Sequence, residues 1–322
     1  MSNHKTQPST HNGSAYAQAQ PGRNHKLINI RYWKNKMVYK KSRWLGSMAI
    51  AAMALAGSSV LQAKEWTSIN IATEGAYEPW NLTLPGGKIS GFEPELMDHL
   101  CEKMKLRCNI VVQNWDGMIA SLNAGKFDVL MDAIVITEDR KKVMAFSIPY
   151  AQTPASFVAL DAALLPGKPG ASNAVTLGTD PKEIREGVEA LRTALKGKTI
   201  GIASGIVYTK FIDENFKDVA TIREYNTSAD AILDLQSGRI DAIFDDVTFL
   251  DSIMSKPENK GLAYTGPEIK GPIWGEGEGL GFRKGDADLK AKFDEALKQA
   301  ISDGTVKNLS EKWFKVDLTP KS

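Results

Sequence analysis

The chain has 322 residues, enough for one large or two ordinary domains with real cores, and its 43% apolar content excludes a disordered polypeptide. The net charge of +2 hides an asymmetry: residues 1–63 carry nine Lys and Arg and no Asp or Glu, so the 40 basic residues less these nine leave 31 against 38 acidic ones, a net of −7. An acidic body argues against a nucleic-acid partner and suits a cationic ligand.

The basic leader has the layout of an export signal. Met37 to Arg43 is positively charged, Trp44 to Leu61 is apolar and Ala-rich, and Leu61-Gln62-Ala63 is a small-residue cleavage site, giving a mature start at Lys64. Residues 1–36 are polar and patternless, so the true start is expected at Met37. An uncleaved anchor is the alternative reading of the apolar run, which Gly46, Ser47, Gly57, Ser58 and Ser59 dilute. In an oxidising periplasm Cys101 and Cys108, the two cysteines of the chain, would close a small loop; in a reducing compartment they would be buried thiols. Two cysteines and four histidines do not suggest a structural zinc site, and no cofactor is expected.

From there strands and helices alternate. Ser68 to Thr73 reads as a first strand, followed by a loop, Glu74 to Trp80, and a hairpin-like turn at Pro85-Gly86-Gly87. Pro94 sits in the first turn of a helix from Glu93 to Met104, where its missing N–H costs nothing. A strand from Cys108 to Gln113, a helix from Trp115 to Ala124 closed by Gly125, and a strand from Phe127 to Met131 come next. Thr137-Glu138 signals a helix start, with Arg140 in its first turn. Ser147 to Leu160, with Pro149 and Pro154, is extended and reads as a crossover. Residues 161–180 read as a surface loop and Pro181 to Leu195 as a helix. A second series follows: strand Thr199 to Ile202, a turn at Gly205, a helix to Asn215, strand Thr221 to Tyr225, a helix capped by Thr227, and strand Ile240 to Phe244 ending in Asp245-Asp246. Leu262 to Tyr264 and a Gly-rich return, Gly271 to Gly281, lead to closing helices over Asp286 to Ser302 and Gly304 to Phe314. This order implies mainly parallel sheets, in which ligands bind beyond the carboxyl ends of the strands. Glu74, Trp115 and Asp132 all fall just after predicted strands. Near Arg140, backbone N–H groups and a bidentate guanidinium would make an anion site; the alternative reading of the same stretch is an ordinary αβ connection with a solvated arginine.

Several stretches, in one order, carry a resemblance: SGFEPELMDHLCEKM from Ser90, FDVLMDAIVITEDRKKVMAFSIPY from Phe127, QSGRIDAIFDD from Gln236 and GLGFRKGDADLKAKFDEAL from Gly279. Together they resemble the amino-acid-binding family of periplasmic solute-binding proteins, the receptors of polar amino-acid ABC transporters, over nearly all of residues 66–315. The resemblance implies an α/β, two-lobed periplasmic binding protein fold of type II with two crossover strands as hinge. Lobe 1 would comprise residues 64–153 and 279–322, and lobe 2 residues 154–278. It also implies the Cys101–Cys108 disulfide, seen in the basic-amino-acid branch.

By the same resemblance Arg140 clamps a ligand α-carboxylate with help from the backbone at Ala133, Val135 and Val207, and Asp246 accepts the α-ammonium from the other lobe. Taken alone, Asp246 reads equally as a helix N-cap. Glu74, with Asp132 as a second acid, would meet a guanidinium or ammonium side chain flanked by Tyr77 and Trp115, through charge-assisted hydrogen bonds and cation–π contact. Relatives carry a Ser or Thr pair where this chain has Ile206-Val207, which removes a hydroxyl from the carboxylate site and admits a carboxylate-free amine such as agmatine. ATEGAY and QNWDG resemble the opine-binding branch in particular. The implied protein is a monomeric periplasmic receptor, not an enzyme, that delivers a cationic amino acid or an opine to an inner-membrane ABC permease. The alternative of the same fold is a periplasmic dehydratase acting on prephenate or arogenate.

Overall fold

A computed structural model describes residues 64–320. The leader reading, with its start at Met37 and cleavage after Ala63, lies outside the described residues. Two sheets organise the chain. The first has the strand order Arg107–Val112, Ser68–Thr73, Val129–Leu130, Gly281–Phe282, Ala145–Phe146. The second runs Thr221–Tyr225, Thr199–Ala203, Ala242–Asp246, Ala155–Ala159, Ala263–Lys270, Val175–Thr176. Between Phe146 and Ala155, and again between Lys270 and Gly281, the chain passes from one sheet to the other. The two passages lie side by side, joined where Ala151 bridges Glu278 in antiparallel sense. Two sheets with two crossing strands form the two-lobed fold the resemblance implies.

The sheets are mixed rather than mainly parallel. Ser68–Thr73 is parallel to both its neighbours, but Gly281–Phe282 is antiparallel to Val129–Leu130 and to Ala145–Phe146. In the second sheet Ala155–Ala159 is antiparallel to Ala242–Asp246 and to Ala263–Lys270. The αβ units supply the parallel pairs, through crossovers. The antiparallel strands are those that arrive from, or leave for, the other sheet.

Helix Phe92–Met104 packs against the C-terminal helices Ala287–Ser302 and Thr305–Phe314. Trp80, Phe92, Tyr150, Phe282 and Phe293 are fully buried in that core. Phe157, Phe216 and Phe244 fill the core of the second half; Tyr208 packs edge-on against Phe244, and Trp274 edge-on against Tyr208 and Phe211. Three local expectations need correction. The loop after the first strand contains a small antiparallel sheet, Ala76–Tyr77, Asn81–Thr83 and Ile89–Ser90. The stretch 161–180 contributes an edge strand, Val175–Thr176, paired with Ile269 and Lys270. The helix expected over Pro181 to Leu195 breaks at Val188 into Pro181–Gly187 and Glu189–Ala194. Leu177 packs so close to Gly187 that a Cβ there would lie 2.8 Å from it.

Cys101 and Cys108 form a disulfide that ties the end of helix Phe92–Met104 to strand Arg107–Val112. A loop of this length constrains the unfolded chain by about 2.5 kcal/mol. The Cys101→Ser/Cys108→Ser variant is therefore expected to unfold at lower denaturant, with an m-value equal to or slightly above that of the parent chain. An unchanged midpoint would mean that the helix and strand hold each other without the link.

Candidate functional site

One cavity lies between the two sheets, at the carboxyl ends of their parallel strands. It holds about 530 Å³ of space, part of it open to solvent. Glu74, Tyr77, Trp115, Asp132, Ala133, Val135, Arg140, Val207 and Asp246 all line it, so the fold gathers the nine residues singled out in the sequence at one place. Glu278 also lines it, with Tyr208, Thr227 and Ser228. Among the described lining residues Arg140 is the one cation, facing Glu74, Asp132, Asp246 and Glu278.

The acids on the first sheet are held by a buried network. Gly91 has φ +129, and a Cβ there would come 2.4 Å from the Trp80 carbonyl oxygen; the chain turns at this glycine to aim Glu93 inward. The Glu93 carboxylate accepts the Ala133 N–H at 2.7 Å, the Asn81 side-chain amide at 3.0 Å and the Tyr150 hydroxyl. Ala133 is left-handed at φ 44, a strained setting for a residue with a side chain, stabilised by that bond to Glu93. Asp132, next to it, accepts from the Thr73 hydroxyl at 3.1 Å, the Glu74 N–H at 3.1 Å and Asn81 at 2.9 Å. Asn81 thus bridges two buried acids. Burial, reinforced by Glu74 and Glu93, pushes the Asp132 carboxyl well above its usual range. Burial and the nearby Asp245 and Glu93 carry Glu74 up to about 7.

Arg140 sits in a single helical turn, Glu138–Lys141, capped by the Thr137 hydroxyl. Its guanidinium donates to the Val135 carbonyl at 3.0 Å and, across the cleft, to the Gly205 carbonyl at 3.2 Å. Burial pulls it down to about 10, and it remains charged at neutral pH. The Trp115 ring lies 5.5 Å from it and donates its indole N–H to the Ser204 carbonyl at 3.1 Å. Helix Val207–Phe216 starts at the cavity with no side-chain cap, leaving its first N–H groups directed at the same region.

Asp246 is the helix N-cap that its residue type offered, and it lines the cavity. One oxygen caps helix Val247–Met254 by accepting from Thr248 N–H at 2.6 Å and Phe249 N–H at 3.3 Å, while the other accepts the Thr153 hydroxyl at 2.5 Å. Tyr77 is more constrained than an open flanking ring. It stacks on Phe249 at 5.0 Å and donates its hydroxyl to Asp245 at 2.7 Å. Asp245 also accepts from Ser228 and rises to about 6, chiefly through burial. Sequence reasoning passed over Glu93, Asp245 and Glu278. The available signals were an acid one residue before a helix-starting proline, a paired Asp-Asp at a strand end, and an acid flanked by glycines in Gly277-Glu278-Gly279.

A ligand cavity between two αβ halves joined by two strands is the layout of a solute-binding protein. Residues 69–316 match the bacterial extracellular solute-binding proteins, family 3, and the chain belongs to that family. It is 39% identical over 291 residues to the octopine-binding periplasmic protein of Rhizobium meliloti, a match spanning 85% of this chain and 98% of that one. It is 30% identical to the L-arginine-binding protein of Pseudomonas aeruginosa, over 87% of this chain and 98% of the relative. Among solved structures, a periplasmic His/Glu/Gln/Arg/opine family-binding protein from Silicibacter pomeroyi in complex with lysine superposes with a TM-score of 0.64 at 29% identity, over 79% of this chain and 100% of that one.

The elevated acids set a pH dependence. Glu74, Asp245 and Glu278 hold protons in the folded chain at pH values where the unfolded chain, with carboxyls near 4.5 and 3.8, is ionised. The folded state then binds more protons, so stability falls as pH rises through that window. Without ligand, the melting temperature is expected to fall between pH 5 and pH 8, by about 2–4 °C for each kcal/mol lost. Glu74→Gln should make the fall shallower. A melting temperature that rises over this range would contradict the buried-acid account.

Proposed function

We propose that this chain is the periplasmic receptor of an ABC importer, capturing a cationic amino acid of the arginine, ornithine or lysine type and presenting it to an inner-membrane permease. In this reading residues 64–153 with 279–322 and residues 154–278 are lobes that close on the ligand by a hinge motion, contacts with both lobes driving closure. The observation that carries the proposal is the charge layout of the cavity: one guanidinium, Arg140, opposite several carboxylates. A zwitterion with an additional positive side chain complements that layout.

Arg140 and the uncapped N–H groups at Val207 take the α-carboxylate. Asp246 takes the α-ammonium from the second lobe. Glu74 and Asp132 receive the side-chain cation, with Tyr77 and Trp115 along its length. The arginine-binding relative and the lysine-bound structure support this reading. The octopine-binding relative at 39% identity favours an opine as a second reading. Against it, an opine's extra carboxylate would enter a cavity already rich in acids. The same excess opposes a dehydratase working on an anionic ring, so the proposed role is binding, not catalysis.

A thermal-shift screen of the chain from Lys64 tests the proposal with arginine, ornithine, lysine, histidine, octopine, nopaline, agmatine and neutral amino acids. A ligand at a hundred times its dissociation constant stabilises by about 2.7 kcal/mol, a shift of several degrees. Basic amino acids should give that shift. Arg140→Ala should weaken their binding by at least about a hundredfold, the usual effect of removing one partner of a buried charge pair, and spare agmatine. Shifts with neutral amino acids alone, or unchanged arginine affinity in the variant, would refute the assignment.

A further inference from the structure

Glu278 is an acid that the charge layout above leaves without a task. It lies on the return passage, in a stretch locked on both sides. Its N–H donates to the Ala151 carbonyl at 2.9 Å and its carbonyl accepts the Tyr150 N–H at 2.9 Å. Gly277 accepts from Ile136 at 2.8 Å, and Gly279 donates to Ile134 at 3.1 Å. The flanking glycines permit this squeeze: a Cβ at Gly277 would come 2.4 Å from the Ala151 carbonyl, and one at Gly279 would come 2.8 Å from Ile136. The backbone is fixed, and the side chain has little choice of direction.

That side chain is 3% exposed and enters the ligand cavity. One oxygen accepts the Thr153 hydroxyl at 2.8 Å; the other is buried and, among the described residues, has no hydrogen-bond partner. A buried carboxylate oxygen without a donor is costly. The same Thr153 hydroxyl lies 2.5 Å from Asp246. One hydroxyl has one proton and cannot donate to two carboxylates at once. The group closes its hydrogen bonds only if one acid carries a proton and donates it to the threonine oxygen.

We propose that Glu278 is a second carboxylate for the ligand's α-ammonium, shared with Asp246, and that ligand binding expels the proton these two acids hold when the site is free. An ammonium brings three N–H donors to the place where donors are lacking. Both acids then ionise, the carboxylic O–H breaks, and its proton passes to solvent. The titratable groups around Glu278 are Asp246, Glu93, Tyr150 and Tyr208. None is a cation, and burial with Asp246 nearby raises the Glu278 carboxyl to about 8. An ammonium between the pair lowers it. Affinity for an α-ammonium ligand should therefore rise with pH toward about 8, until the ligand's own ammonium begins to lose its proton.

This inference rests on the basic-amino-acid reading of the cavity, and calorimetry separates the two. Wild type and E278Q are titrated near pH 7 with L-arginine and with its des-amino analogue, which keeps the guanidinium and the carboxylate, in two buffers of different protonation enthalpy. E278Q should bind arginine 10–100-fold more weakly, release fewer protons per arginine bound, and bind the des-amino analogue as well as wild type does. E278D, which keeps an acid, should restore proton release. Equal losses for both ligands, or unchanged proton release in E278Q, would overturn the role of Glu278 while leaving the receptor reading intact. Failure of wild type to bind arginine, ornithine or lysine would overturn both.

Discussion

The structure depends on the burial of six carboxylates, those of Glu74, Glu93, Asp132, Asp245, Asp246 and Glu278, around a cavity with one guanidinium. Charges of one sign in a low-dielectric space cannot all remain ionised without donors or counter-ions. The fold answers residue by residue. Glu93 and Asp132 share Asn81, Asp245 takes two hydroxyls and a backbone N–H, and Asp246 caps a helix. Burial raises the protonation of the bonded acids too, and Glu74 and Glu278, with fewer donors, reach about 7 and about 8. The local shape follows from this answer, including the left-handed backbone at Ala133 and the inward turn at Gly91. The same acids that need donors are those a cationic ligand would serve, so the cost of burying them and the selectivity of the cavity are one quantity seen from two sides.

A second constraint acts across the cleft. The first half reaches the second through Tyr77 to Asp245, Trp80 to Thr248, Trp115 to Ser204 and Arg140 to Gly205. At the rim, Lys256 pairs with Glu78 at 2.6 Å and Lys210 with Asp139 at 3.7 Å, ion pairs of little individual weight at exposed positions. Of the four inner bonds, Trp80 to Thr248 is buried, those of Tyr77 and Trp115 are partly buried, and Arg140 to Gly205 is exposed. They tie the two halves together across the cleft, while the covalent route between them is limited to two adjacent strands.

Much of this was legible in the sequence. Strands followed by acids or aromatics gave Glu74, Trp115 and Asp132, because residues just past a parallel strand must face the crevice at its carboxyl end. Helix caps at Thr137 and Thr227 were readable from residue type alone. Glu93 was not, because its place in an ordinary helix start hides that the helix begins at the cavity wall. Glu278 was not, because a Gly-rich return reads as a connection, and only the pairing of that return with residues 134–136 and 150–151 makes it a wall. Strand direction was also out of reach: local patterning does not tell a strand formed within one sheet from one arriving from the other. The break at Val188 follows Gly187, which packs against Leu177, ten residues upstream and beyond the reach of local patterning.

Two of the four inner bonds across the cleft are made by indole groups. Trp80 is completely buried and donates to Thr248 at 2.9 Å; Trp115 lines the cavity and donates to Ser204 at 3.1 Å. Separation of the halves removes both acceptors and admits water to at least one of the rings. The emission of an indole shifts to longer wavelength when it is hydrated. The hinge motion proposed above would thus carry, without any label, an intrinsic optical signal, from Trp115 at the cavity and Trp80 in the core.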